Sequence, residues 1–227
     1  MWREPFIALA LALVAMPAAA HHPGHQLDEV MGSREKYFQA VDKETPPFSL
    51  VDADGRAVTL ADFKGKVVVL HYIYASCPDV CPLHADRIAE VQALVNASPM
   101  KDQVQFVSVT TDPKSDNREV MRGYGPAHGL DAANWSFLTI TDGQPEDTSR
   151  ELAKAFGHTF TKTKGNYQVH GVVTHVIDKQ GRWRANFHGL RFAPVNLVLY
   201  VNGLVNEHTP PPQSQAKGWW DKLRELF

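Results

Sequence analysis

The chain has 227 residues, 44% hydrophobic and 21% charged, with a formal net charge of −2. That length and composition suit one globular domain with tails, large enough to be stable without disulfide staples. A near-neutral charge with no long basic run argues against nucleic-acid binding, which rests on clustered Lys and Arg.

Residues 1–20 read as a cleavable export signal. Arg3 lies near the start, residues 6–16 are an uninterrupted apolar run, Pro17 breaks it, and Ala18, Ala19 and Ala20 suit a cleavage position. A membrane-spanning helix needs about 20 apolar residues, so the run is short for a permanent anchor. Export implies a periplasmic chain, in a compartment where dithiols tend to oxidise. Residues 21–44 open with HHPGH, show no clean period, and read as a flexible lead-in. His21, His22 and His25 form either a weak Cu(II) site or part of a solvated tail.

From residue 45 the pattern becomes dense. Residues 48–51 and 57–60 flank Asp52-Ala-Asp-Gly55 as a hairpin. Residues 66–74, KVVVLHYIY, read as a buried strand that runs into Cys77. A helix over 83–95 follows, then a strand over 104–109 and a helix over 117–124 stopped by Gly125-Pro126. A short strand at 135–140 and a helix at 146–156 come next. Strands at 172–177 and 182–187 form a hairpin around Asp178-Lys-Gln-Gly181, and 192–205 is a closing helix. Strands alternating with helices, ending in a hairpin, imply an α/β fold with a mixed central sheet flanked by helices. This is the thioredoxin-like arrangement, here with an amino-terminal hairpin extension and a domain spanning 45–206.

Residues 207–227 are a Pro-rich linker and an amphipathic helix. Thr209-Pro-Pro-Pro212 is a stiff spacer, and Trp219, Trp220, Leu223, Leu226 and Phe227 would share one helical face. Such a face can lie in a membrane surface or fold back on its own domain.

Both cysteines lie in Cys77-Pro-Asp-Val-Cys81, which places the sulfurs about one helical turn apart. The motif is one residue longer than the Cys-x-x-Cys of a thioredoxin-type redox site. Pro78 and Pro82 fit only a helix start, so the thiols lie near the positive end of a helix dipole, which favours thiolate. Two thiolates are soft ligands suited to Cu(I), and a neutral His would complete a three-coordinate site. A structural disulfide is the alternative, although so short a loop would stabilise little. The chain has 11 histidines. His71 in the preceding strand and His84 just after Cys81 could approach the metal, or be core and surface residues. Asp79 and Asp112 could tune the site, or serve only as turn and cap residues.

The segments Gly65-Lys-Val-Val-Val and Ala75-Ser-Cys-Pro-Asp-Val-Cys-Pro82 resemble the signature of the SCO/SenC family of copper proteins. The resemblance continues through Val107-Ser-Val-Thr-Thr-Asp-Pro113, Trp135-Ser-Phe-Leu-Thr139 and His170-Gly-Val-Val-Thr-His-Val-Ile-Asp-Lys-Gln-Gly181, covering about residues 45 to 205. It implies that Cys77, Cys81 and His170 hold one copper, as Cu(I) or Cu(II). Where family members often carry Asp before the ligand His, this chain has Val169. Where Tyr is common five positions after it, the chain has His175, which is either an alternative ligand to His170 or, on the same strand alternation as Val173 and Ile177, a packed residue.

The implied function is a copper metallochaperone delivering to the binuclear copper site of cytochrome c oxidase. The alternative is a thiol–disulfide oxidoreductase that reduces cysteines of a partner copper protein. Partners on these readings are a copper-accepting oxidase subunit and a thiol-reducing protein. A peroxidase would need a pocket built for peroxide, and no arrangement of that kind stands out. Copper storage is not separable from delivery in the sequence.

Overall fold

The computed structural model describes residues 23–162, 168–169 and 171–207. The first half comprises α1 (Pro23–Arg34), β1 (Phe38–Glu44), β2 (Ser49–Asp52), β3 (Ala57–Thr59), β4 (Val67–Ile73), α2 (Val80–Asn96) and β5 (Val104–Thr110). The second half comprises α3 (Arg118–Ala127), β6 (Trp135–Thr139), α4 (Thr148–Ala155), β7 (Thr161–Lys162), β8 (Gln168–Val169), β9 (Val173–Ile177), β10 (Arg182–His188) and α5 (Pro194–Asn206).

Eight of the strands form one sheet in the order β1-β10-β9-β4-β5-β6-β2-β3, and β7 and β8 make a separate ribbon. β4 runs parallel to β5, and β5 to β6, while β9 and β10 are antiparallel. The mixed sheet flanked by helices and the hairpin of β2 and β3 are as the sequence pattern predicts. All seven residues of β4 are buried, because both faces of this central strand are covered. Val67 and Val69 join a core with Ile88, Val91, Tyr200 and Leu204, toward α2 and α5. Val68, Leu70 and Tyr72 point the other way, into a core with Leu152, Phe156, Ile177 and Trp183. The two-residue period of the strand sorts these side chains.

Two expectations need correction. Residues 23–44 are not a flexible lead-in: α1 packs on α5, and β1 pairs with β10 from Phe38↔Phe187 to Glu44↔Arg182. The domain therefore begins well before residue 45. Met31 is buried, and the Phe38 ring lies edge-on to Phe187 and Tyr200 at 5.5 and 5.0 Å. Glu35 fastens the segment by accepting the Ala193 N–H and the Asn196 amide. A few anchors spaced along a polar segment carry this docking, which periodicity does not register.

The second correction concerns α3, which does not stop at Gly125-Pro126 but runs to Ala127. Its last turn closes through bonds from the His128 and Leu130 N–H groups to the Gly125 carbonyl. Gly125 serves a close approach instead: a Cβ there would lie 2.2 Å from the Trp135 ring.

Candidate metal centre

The dithiol sits where β4 gives way to α2. The chain leaves β4 at Ile73, turns through Tyr74 to Asp79, and enters the helix at Val80, so Cys81 lies in the first helical turn and Cys77 precedes it. Pro82 occupies a position whose N–H would have no helical partner, and the proline costs nothing there. Cys77 and Cys81 are both free thiols, 7% and 2% exposed. The Cys77 N–H donates to the Tyr74 carbonyl at 3.1 Å, and the Cys81 N–H points at Cys77 Sγ at 3.5 Å.

Electrostatically the two thiols are unlike. Burial opposes ionisation of Cys77, but the Cys81 thiol, the Asp79 and Cys81 N–H groups and Tyr74 all hydrogen-bond to its sulfur and hold it below the ordinary thiol value. Burial, and then the bond to Cys77, push the Cys81 thiol far above its ordinary value. Cys77 is therefore the readier of the two to ionise, with the Cys81 thiol as its donor. Iodoacetamide is expected to modify Cys77 at least about 10-fold faster than Cys81 in the metal-free reduced chain. The Cys77 rate should be half-maximal below pH 9.0, as peptide mass spectrometry across pH would show. Equal rates at the two sulfurs would refute the asymmetry.

Asp116 is a component that the sequence reading did not single out. It is 1% exposed, and its carboxylate accepts the Ala75 N–H at 3.1 and 3.2 Å and the Thr110 hydroxyl. It thereby ties the turn before Cys77 to the end of β5. Burial raises its carboxyl above the usual range, against the lowering effect of the Thr110 and Ala75 bonds. An acidic residue closing a turn with Asp112 as its first member looks like ordinary turn chemistry in sequence. Asp112 does act in that turn, its carbonyl accepting the Ser115 and Asp116 N–H groups.

Of the candidate histidines, His71, His84 and His175 have definite places. His71 is fully buried beneath α2 with its Nε2 3.1 Å from Ser108 Oγ, which also accepts the Trp135 indole N–H. His84 is 2% exposed, and its Nε2 lies 2.9 Å from Thr174 Oγ1. His175 is fully buried on the opposite face of the sheet, with Nδ1 2.7 Å from Asn186 Oδ1 and Nε2 2.8 Å from His158 Nε2. Both its nitrogens are thus engaged away from the sulfurs.

His170 lies outside the described residues, as do His21, His22, residues 1–20 that read as an export signal, and the helix expected over 218–227. The backbone on either side of position 170 is described: Val169 pairs with Thr161 in the ribbon, and the Val172 carbonyl accepts the Gly189 N–H at 2.8 Å. Among the described residues, no cluster of three or more His, Cys, Asp or Glu is placed to hold a metal, and no helix is long and apolar enough to cross a membrane.

The family model described as SCO1/SenC matches residues 38–197. The chain belongs to that family. Among SCO relatives, the SCO1 protein homolog of Bacillus subtilis is 25% identical over 158 residues, covering 69% of this chain and 79% of the relative. The human mitochondrial SCO2 homolog is 38% identical over 77 residues, covering 34% of this chain and 29% of the relative. A SCO1/SenC family lipoprotein from Bacillus anthracis superposes with a TM-score of 0.67 at 24% identity, covering 74% of this chain and 98% of its own. Bradyrhizobium japonicum ScoI, solved with copper bound, superposes with a TM-score of 0.60 at 24% identity, covering 71% of this chain and 99% of its own. These likenesses establish the thioredoxin-like SCO fold. The family match begins at Phe38, at the start of β1, so residues 38–44 of the segment first read as a lead-in fall within it.

Proposed function

We propose that this SCO chain carries one copper on Cys77, Cys81 and His170 and delivers it to the binuclear copper site of cytochrome c oxidase. The observation that carries the reading is a pair of free, nearly buried thiols, four positions apart at a helix start, within a family whose solved members include copper-bound proteins. Another solved relative is described as a member of the Sco family of cytochrome c oxidase assembly proteins. The donor set fits the cargo, since two thiolates and an imidazole are soft or intermediate ligands suited to Cu(I).

The contact between His84 and Thr174 supports His170 as the third ligand. His84 is three positions after Cys81 and Thr174 four after His170, so one 2.9 Å contact draws the flanks of both ligand groups together. In this mechanism Cu(I) loading displaces the Cys81 proton, and copper then passes by ligand exchange to thiols of the acceptor, with no change of oxidation state. Residues 1–20 are proposed to direct the chain to the periplasm, where the acceptor domain lies, and 218–227 to contact a membrane surface.

Copper titration of the reduced chain tests the assignment. Wild type is expected to bind one equivalent, and His170→Ala to bind at least about 10-fold more weakly. Equal affinity would remove His170 from the site.

The inequality of the thiols favours a second reading, a reductase. Cys77 thiolate would attack a partner's disulfide and release one partner thiolate, which takes a proton. Cys81, losing its proton, would then displace the second partner thiol from the mixed disulfide. The chain ends with Cys77–Cys81 oxidised by two electrons and requires a thiol donor for the next cycle. On this reading His170→Ala keeps activity.

A further inference from the structure

The carrier mechanism leaves unused a hydrogen-bonded histidine pair sealed in the face of the sheet away from the dithiol. His158 follows α4 after Gly157 and is 5% exposed; His175 in β9 is fully buried. Their Nε2 atoms are 2.8 Å apart. Tyr72, Phe156 and Trp183 surround the pair, with the His158 ring 4.9 Å from Tyr72 and the His175 ring 4.8 Å from Phe156 and 5.3 Å from Trp183.

The direction of each bond follows from neighbours that can play only one role. The Trp183 indole N–H can only donate, and it lies 2.9 Å from Asn186 Oδ1, which fixes that atom as the amide oxygen. The amide nitrogen of Asn186 in turn donates to Gln39 Oε1 at 3.1 Å. His175 Nδ1, 2.7 Å from the same Asn186 oxygen, must therefore carry a proton. Burial, and then the neighbouring His158, hold the His175 pKa well below the ordinary value, so the ring is neutral and its Nε2 can only accept. His158 Nε2 is the donor. The chain of bonds has one consistent direction, in a dry aromatic setting where a broken bond is costly.

Position matters as much as strength. The pair joins the two ends of segment 159–174, which contains the β7–β8 ribbon and position 170. Next to His175, Thr174 reaches across the other face of the sheet to His84 on the cysteine helix. Adjacent residues of β9 thus fasten it to α2 on one side and to the end of α4 on the other.

We infer that His158 and His175 are positioning residues: their hydrogen bond, oriented by Asn186, closes the base of segment 159–174 and so sets where His170 stands relative to Cys77 and Cys81. The inference rests on the proposed three-ligand copper site.

The test is Cu(I) affinity of the reduced full chain, measured by competition with a chromophoric Cu(I) chelator. His158→Phe, which fills the aromatic site but cannot donate, is expected to bind about 10-fold more weakly than wild type. His158→Gln, which keeps an N–H donor, should recover most of that loss. The double variant His158→Phe/His170→Ala should bind no more weakly than His170→Ala alone, because the clasp acts only through His170. Wild-type affinity in His158→Phe overturns the inference, and so does full additivity in the double variant, which would mean a general effect on the fold. If His170→Ala binds as wild type, the copper-site reading fails first, whatever the His158 variants do. A second measurement needs no variant. Imidazole 15N shifts of the wild-type chain near neutral pH should show Nδ1–H for His175 and Nε2–H for His158, and the reverse pattern overturns the clasp.

Discussion

Cys81→Ser is expected to weaken Cu(I) binding by the reduced chain at least about 100-fold. A serine hydroxyl is a hard, un-ionised donor, whereas the cysteine becomes a soft thiolate as copper displaces its proton. The substitution also affects the fold. Cys81 is 2% exposed in an apolar cluster with Ala85, Met121, Tyr124 and Phe137, and a hydroxyl there costs about 1–3 kcal/mol. That corresponds to a melting temperature lower by roughly 2–10 °C. Affinity measured well below the melting point separates the two effects. The same variant distinguishes the competing readings, because a reductase lacking Cys81 cannot resolve its intermediate and should accumulate as a mixed disulfide through Cys77. Tight Cu(I) binding by the Cys81→Ser chain would sink the carrier reading.

Asp116→Ala is expected to lower stability by about 2–4 kcal/mol, even though residue 116 touches neither sulfur. The Ala75 N–H and the Thr110 hydroxyl both lose their acceptor, and each buried group left unpaired costs about 1–3 kcal/mol. A melting temperature lower by roughly 5–15 °C should be seen by circular dichroism. Loosening Ala75 also frees the turn that presents Cys77, so Cu(I) affinity should fall about 10-fold. Asp116→Asn keeps one acceptor oxygen and should retain most of both. Burial, opposed by the Thr110 and Ala75 bonds, holds the Asp116 carboxyl above its usual value. Its contribution to stability is therefore full below the usual carboxylate range and is lost as pH rises through the raised value. The Asp116→Asn chain, which cannot ionise there, is expected to gain on wild type across that window. A wild-type melt for Asp116→Ala would show that the turn is held by other contacts.

The central strands were legible in the sequence because burial on both faces leaves a strong mark. A run such as Val67–Ile73 admits few other readings, and Asp178 to Gly181 marks its hairpin with a glycine at φ +84°. Cys77 and Cys81 were legible because two cysteines at that spacing next to such a strand imply paired sulfurs. Residues 23–44 were not, because α1 and β1 are held by single anchors such as Met31, Glu35 and Phe38 whose partners lie about 150 positions away. Asp116 and His158 were missed for the same reason. Each matters through a bond to a distant residue, and nothing in its local spacing distinguishes it from a turn aspartate or a residue after a helix.

The edge pairing of Phe38 with Phe187 has a consequence for how the chain reaches its native state. Nearly the whole domain lies between these two residues, so the outermost ladder cannot zip until β10, the last of the described strands, exists. A polypeptide emerging amino terminus first holds its opening helix and strand without their docking surface until almost the last segment has been delivered. Sequence-distant pairing of this kind slows folding. Until α5 follows, Phe38 and Met31 stay without the Phe187 and Tyr200 surface that covers them in the finished domain.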